Sequence, residues 1–252
     1  MKGNLKQCLY QIPSSTIKRV TPYISQPLLH CFHLCKNKNR FPAILKIAII
    51  APLSKSGDPT DPSNRRPISS LSFFSKLFKH YLHGHLVNFL ESNKIFHPLQ
   101  FGFRKHNSTA RALAYLQNVV TSSVDRKLIP IAVFLDIAKA FDSVEHKILT
   151  HKMEHYGIRG SALELFASYL ADRKHSTFVN GVVSSLETCN FGVPQGSIMA
   201  PTLFLLFIND VYFLPLLSTL FSYEDDSTLL ISAPTIQDAI IGINQDVAKL
   251  ND

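Results

Sequence analysis

The chain has 252 residues, 46% of them hydrophobic and 10% aromatic, which excludes a disordered chain and suffices for one large domain or two small ones. A formal net charge of +8 favours polyanionic partners, because Lys and Arg gain counterion-release free energy on a phosphate backbone. The N-terminus "MKGNLKQCLYQIPSS" lacks the apolar core and cleavage site of a secretory signal, so the chain reads as intracellular, in nucleus or cytoplasm, with Cys8, Cys31, Cys35 and Cys189 as free thiols.

In chain order, "HCFHLC" at residues 30–35 invites a zinc reading. No second ligand pair lies at suitable distance, and a helix with Cys31 and Cys35 on one face is the better reading. The strand-like "LKIAIIAPL" leads into "LSKSGDPTDPSNRRP", residues 53–67, whose three prolines and turn-forming residues predict a loop. Next, "SFFSKLFKHYLHGHLVNFL" puts Phe74, Leu77, Phe78, Tyr81 and Leu82 at helical spacing, with Lys76, Lys79 and His83 mostly on other faces.

"IPIAVFLDI", residues 129–137, is short, continuously apolar and rich in β-branched residues, the pattern of a strand buried on both faces and ending near Asp136. A helix follows, with Ser143 as N-cap and Gly157 as its C′ residue. A second opens at "SALE", where Ser161 and Glu164 have capping-box spacing. The most apolar stretch, "IMAPTLFLLFINDVYFLPLLSTLF", is interrupted by Asn209 and Asp210 and bounded by Pro201 and Pro215, so it reads as a buried helix followed by a strand, with no membrane span. The last segment carries Ile236, Ile240, Ile243, Val247 and Leu250 on one helical face, capped by Thr235 and Asp238, with nothing after it to cover that stripe.

Glu224, Asp225 and Asp226 sit at the tip of an apparent hairpin, "LSTLFSY" in and "STLLIS" out, while Asp136 ends another strand. If the strands are neighbours, the carboxylates converge, and like charges at close quarters need a cation. Mg²⁺ suits that need, and two such ions about 4 Å apart would activate an attacking hydroxyl and stabilise a leaving oxygen in phosphoryl transfer. A solvated acidic turn is the plain alternative.

Three longer motifs bear on that choice. "FLDIAKAFDSVEHKIL" from Phe134, "FGVPQGSIMAPTLFLLFIND" from Phe191 and "SYEDDSTLL" from Ser222 resemble successive motifs of the reverse transcriptases of non-LTR (LINE-type) retrotransposons. The upstream "PLSKSGDPTDPSNRRPISSLSFFSKLF" and "QFGFRKHNSTARAL" fit the fingers motifs of the same family, in order over nearly the whole chain. The resemblance implies an α/β (α+β) fold: the fingers (about 1–128) and palm (about 129–252, with inserted fingers helices) of a right-hand polymerase, an antiparallel palm sheet packed on helices. Against that family the sequence is read as partial, without thumb or N-terminal endonuclease.

The resemblance implies RNA-directed DNA synthesis with an RNA template, a DNA primer, dNTPs and two Mg²⁺; the alternative is a catalytically inactive nucleic-acid-binding remnant. Position by position, it makes Asp136, Asp225 and Asp226 the metal ligands and Phe141 the ring that excludes a 2′-hydroxyl. Gln195 and Gly196 fall at the incoming nucleotide, as do Arg66 and Arg104 at template or triphosphate. Lys55, Lys76, Lys105 and Tyr223 are nucleic-acid contacts by the same reading, and Asp142 is structural. Glu224 departs from the family, where a small or apolar residue is usual, and adds an acid that repels phosphates.

Overall fold

The computed structural model describes residues 14–54, 58, 61 and 64–251; Cys8 and Lys55 lie outside the described residues. The contacts divide the chain into two units, each drawing on two segments. One holds the chain up to Phe89 together with Phe141–Leu203, the other Leu90–Ala140 together with Phe204–Asp252.

The first unit is built on helix α1 (Ser14–Asn37), strands β1 (Ile47–Ser54) and β2 (Arg65–Leu71), and helix α2 (Phe73–Ser92). The expected loop at 53–67 is shorter than its composition suggests, because both ends zip into an antiparallel β1–β2 ladder running from Ala48–Leu71 to Ser54–Arg65. Proline is tolerated in such a ladder only where its missing N–H costs no bond, and Pro52 faces Pro67 across it. Cys31, Cys35 and Cys189 are free thiols; the helix carries the first two as the spacing requires, and Cys31 adds to burial in raising the Cys35 pKa.

Phe78 is the hub of this core, stacked on Phe32 at 4.7 Å and on Phe41 at 5.1 Å, with Phe41 edge-on to Tyr169 at 5.0 Å. Lys79, expected on another face, is only 1% exposed, a correction to the helical-wheel reading. Tertiary neighbours cover the flank of α2 that the apolar stripe leaves open.

Helices α4 (His146–His155) and α5 (Gly160–Leu170) precede strands β4 (Arg173–Val179), β5 (Val182–Val183) and β6 (Glu187–Cys189). β4 runs parallel to β1 and antiparallel to β5 and β6, giving a mixed five-stranded sheet. Gly157 has φ +91°, as its C′ role requires. Ser143 does not cap α4: the cap is Glu145, whose chain is held there by an isolated bridge to Phe191. The Ser161/Glu164 box also fails to form, since α5 starts one residue earlier and the Glu164 carboxylate accepts instead from Asn39 Nδ2 at 2.9 Å.

The second unit contains α3 (Thr109–Asp125), β3 (Ile129–Asp136), a 3-10 turn at Asn209–Phe213, β7 (Thr219–Tyr223), β8 (Asp226–Ala233) and α7 (Ile236–Asn251); α6 (Met199–Ile208) crosses from one unit into the other along the chain. Ser108 caps α3 by accepting from the Arg111 N–H, and Thr235 caps α7 by accepting from the Asp238 N–H. The sheet has the order β3-β8-β7, all antiparallel. Its α3 face holds Ala132, Phe221 and Leu230 against Tyr115, Leu116 and Val119. Its other face holds Val133, Leu220, Leu229 and Ile231 against Ile243, Val247 and Leu250 of α7.

That α7 contact corrects the expectation of an uncovered stripe: its C-terminal half packs on the sheet, and Ile236 and Ile240 alone of the stripe stay exposed. At Gly242 the helix lies against Ile231, whose Cδ1 would be 2.6 Å from a Cβ there and would have to turn aside. β3 is also not buried on both faces, because Phe134 is 73% exposed. Among the described residues no helix is long and apolar enough to cross a membrane.

Candidate active site

A two-residue turn joins β7 to β8. Tyr223 pairs with Asp226, leaving Glu224 and Asp225 at its tip. Glu224 has φ +62°, a left-handed value that glycine takes freely and other residues adopt at a cost of about 1–2 kcal/mol. In the neighbouring ladder Asp136 is the register partner of Asp226. Directly opposed residues on antiparallel strands point to the same face, so Asp136, Asp226 and Tyr223 share the α3 side of the sheet, at its open end. Asp225 stands one residue away in the turn. The ~90-residue separation of Asp136 from the pair is thus closed by sheet pairing.

Asp136 and Asp226 are exposed and Asp225 is partly exposed. Among the described residues the acids do not form a ready cluster of three or more metal-ligating side chains. The donor set, two carboxylates on the facing ends of β3 and β8 and a third in the adjoining β7–β8 turn, is hard oxygen of the kind Mg²⁺ prefers and would close further around an ion. Glu224 has its carboxyl pKa pushed up, first by burial and then by Asp225 and Asp226. The turn therefore already resists one of its own charges.

Beside the carboxylates an open groove of about 420 Å³ runs along the same face, lined by Thr109, Leu113 and Leu116 of α3 and by Phe134, Asp136, Tyr223 and Asp226. Its floor is apolar and its acidic end is the hairpin.

In the other unit, two loops carry the remaining nucleotide-site candidates. The Val193 N–H donates to Phe141 O at 2.8 Å and the Gly192 N–H to Val144 O at 2.8 Å, so the "GVPQGS" loop is laid directly on the "FDSV" loop. Gly192, at φ +78°, leaves only 3.0 Å between a would-be Cβ and Asp142 Cα. Gln195 Nε2 donates to Asp142 Oδ1 at 3.3 Å, so the hydrogen bond expected of Asp142 is made to a residue 53 positions away and not to its own loop, while the Ser69 N–H of β2 holds Gln195 O at 2.9 Å. Gly196 has φ +90°, and Phe141 is half-buried at the foot of this loop pair. Arg66 and Lys76 are exposed in the same unit.

Arg104, expected at template or triphosphate, is engaged inside the second unit. Its Nε and Nη2 bind both oxygens of Glu91 at 3.0 and 2.8 Å, and Nη1 donates to His97 O at 3.0 Å. Lys105 beside it is exposed. Two polar residues of this region were not among those the sequence singled out. Asn209, read there only as an interruption of an apolar run, is buried and clamps a loop through His97 N–H (3.0 Å) and Ile95 O (2.9 Å). Gln100, which gave no periodic signal, lies against the acidic turn.

Residues 53–250 match the family model described as "Reverse transcriptase (RNA-dependent DNA polymerase)". The chain is 32% identical over 224 residues to a probable RNA-directed DNA polymerase from transposon BS of Drosophila melanogaster, covering 83% of this chain and 24% of the relative. It is 28% identical over 242 residues to the RNA-directed DNA polymerase from mobile element jockey of the same organism, covering 93% and 26%. The chain thus spans about a quarter of the length of these relatives. Among solved structures, telomerase from Candida albicans in complex with a fragment of telomeric RNA superposes with TM-score 0.59 at 11% identity, over 90% of this chain and 43% of that one. Apo telomerase from Candida tropicalis, truncated from its C-terminal domain, gives TM-score 0.57 at 12% identity over 82% and 47%. At such identities these two establish likeness of fold alone.

Proposed function

Because the chain belongs to the reverse transcriptase (RNA-dependent DNA polymerase) family, we propose that it is the fingers and palm portion of a non-LTR retrotransposon enzyme that extends a DNA primer on an RNA template with dNTPs. The observation that carries this is the register of the second unit's sheet: Asp136 of β3 faces Asp226 of β8, with Asp225 just before it in the turn from β7. Bound there, two Mg²⁺ would supply an activated primer 3′-hydroxyl and neutralise the developing charge on the phosphates.

The chain's own residues do the rest. Asp136, Asp225 and Asp226 would hold the cations against mutual repulsion, Asp136 and Asp226 from strands, which fix direction better than loops. By the family resemblance Phe141 takes the role of the ring that excludes a 2′-hydroxyl, and Gln195, whose Nε2 donates to Asp142, that of the amide offered to the incoming nucleotide. Arg66, Lys76 and Lys105 supply phosphate contacts that position a duplex without reading its sequence. Arg104 supports the fold of its segment through Glu91. The RNA template places the work inside the cell, in nucleus or cytoplasm.

Primer extension on an RNA template with Mg²⁺ tests the proposal. Extension that Asp225→Asn abolishes supports it; extension indifferent to Asp225→Asn refutes the site. Salt-sensitive binding without extension identifies the chain instead as a nucleic-acid-binding remnant. In an active protein, Phe141→Val should admit ribonucleotides, and unchanged sugar discrimination would remove its gate role.

A further inference from the structure

The acidic turn has a second, external support. β7 is an edge strand in the order β3-β8-β7, and a strand edge left bare exposes its N–H and C=O groups. Here residues 99–102 cover it. Phe101 N–H donates to Ser222 O at 2.8 Å, and Ser222 N–H donates to Leu99 O at 3.0 Å, forming a short parallel bridge in which Gln100 is the partner of Ser222.

Gln100 is only 1% exposed, and both ends of its amide are used. Its Oε1 accepts from Gly102 N–H at 2.8 Å, which fixes the amide's orientation, and its Nε2 donates to Glu224 O at 3.3 Å. Gly102 sits flat on the same turn: a Cβ built there would fall on the Glu224 amide nitrogen and 2.5 Å from its Cα. The covering segment is itself anchored, by Arg104 to Glu91 and by His97 N–H to Asn209.

The carbonyl that Gln100 holds belongs to the peptide joining Glu224 to Asp225. The orientation of that plane sets φ of Asp225 and so the direction of its carboxylate. Glu224 is in a left-handed conformation that a free two-residue turn would tend to leave. We propose that Gln100, seated on Gly102, is the positioning residue for Asp225, locking the strained turn so that its carboxylate stays aimed for metal binding. The inference rests on the metal-site reading above and concerns a residue that does not itself touch the metal.

The test uses Mn²⁺ as an electron paramagnetic resonance probe on the 252-residue chain, together with amide hydrogen exchange of residues 222–227. Gln100→Met keeps the side chain's length and removes both bonds. It should weaken Mn²⁺ binding about tenfold or more, the usual effect of losing a residue that orients a ligand, and speed exchange at Asp225, with a lower melting temperature as well because the buried Gly102 N–H loses its acceptor. A melting change alone, with Mn²⁺ affinity and turn exchange unaltered, would overturn the proposal by reducing Gln100 to a packing role.

If Gln100→Met does not fold, Gln100→Asn, polar but one methylene shorter, takes its place with the same two readouts and the same expected changes. The two readings fail separately. Wild type that binds no Mn²⁺, or binds it equally after Asp225→Asn, refutes the metal site. Exchange at Asp225 that does not respond to Gln100 refutes the lock.

Discussion

Lys79 gives the sharpest test of the packing. It lies in the core of the first unit with its Nζ unpartnered, 5.3 Å from the centroid of the buried Tyr169 ring. Arg173, only 4% exposed, has its guanidinium carbon 5.2 Å from the same ring, with Nε and Nη1 also unpartnered. No carboxylate pairs with either cation among the described residues. Two charges each just over 5 Å from one point are at most about 10.5 Å apart, which at an effective permittivity of 20 is a repulsion of at least about 1.6 kcal/mol.

To that repulsion is added a desolvation penalty of several kcal/mol per buried ion, and the opposing cation–π attraction is about 2 kcal/mol. Burial lowers the Lys79 pKa below its ordinary 10.5. Burial alone would raise the Tyr169 phenol, but Lys79 and Arg173 outweigh it and bring the net value below 10.0. Its hydroxyl lies near Ser197 and Arg173 without a well-formed hydrogen bond to either.

Lys79→Met preserves side-chain length and removes the charge. It should stabilise the protein by about 2 kcal/mol, a rise of about 4–8 °C in melting temperature for a chain of this size. Urea denaturation followed by circular dichroism, with calorimetry at pH 7, measures it. The pH dependence provides a second reading. For both Lys79 and Tyr169 the folded pKa lies below the unfolded one, so between the two values the unfolded chain binds more protons and wild-type stability rises with pH. That alkaline rise ends near the unfolded values, 10.5 and 10.0, and Lys79→Met should flatten it. A variant no more stable than wild type, or one that keeps the full slope, would refute the reasoning.

Three further outcomes are expected. Gly102→Ala forces a Cβ onto the Glu224 backbone and should cost about 1–3 kcal/mol, read by urea denaturation, with no rescue from Glu224→Ala because the clash is with main chain. Asp246, fully buried, accepts from Leu217 N–H, Ser218 N–H and Ser218 Oγ at 3.0, 2.6 and 2.7 Å. Burial would raise its pKa, but these bonds and Lys249 hold it below 3.8, so its contribution is full above that value and fades as pH falls through the folded pKa. Asp246→Asn should therefore lose about 3 kcal/mol at pH 7 and progressively less in acid, measured by denaturation at a series of pH values. Glu224→Ala keeps the left-handed backbone requirement and removes one acid, so binding of an RNA–DNA duplex should tighten severalfold at about 50 mM salt and by less at about 200 mM, as measured by fluorescence anisotropy.

Much of the second unit was legible in order and type. The hairpin flanking Glu224 and Asp225, the strand ending at Asp136 and the Thr235 cap of α7 are local features, and local features write themselves into periodicity and turn residues. The failures were also local in appearance and tertiary in cause. Ser143 and Ser161 have capping chemistry, yet the helix starts were set elsewhere, at Glu145 by a bridge to Phe191 and at Gly160, while Glu164 was taken by Asn39, 125 residues away.

By itself, the sequence determined which residues could do chemistry here: three carboxylates in two motifs, a basic chain, and an order of motifs that resembles one family. Only the tertiary structure decided that Asp136 stands opposite Asp226, that Gln100 donates to the Glu224 carbonyl in the turn joining β7 to β8, and that Lys79 is buried beside Arg173. The physical reason is range. Periodicity reports which face of a strand or helix is apolar, but register, burial of a lone cation and the partner of a turn carbonyl are set by segments tens of residues apart, whose meeting leaves no mark in any local window.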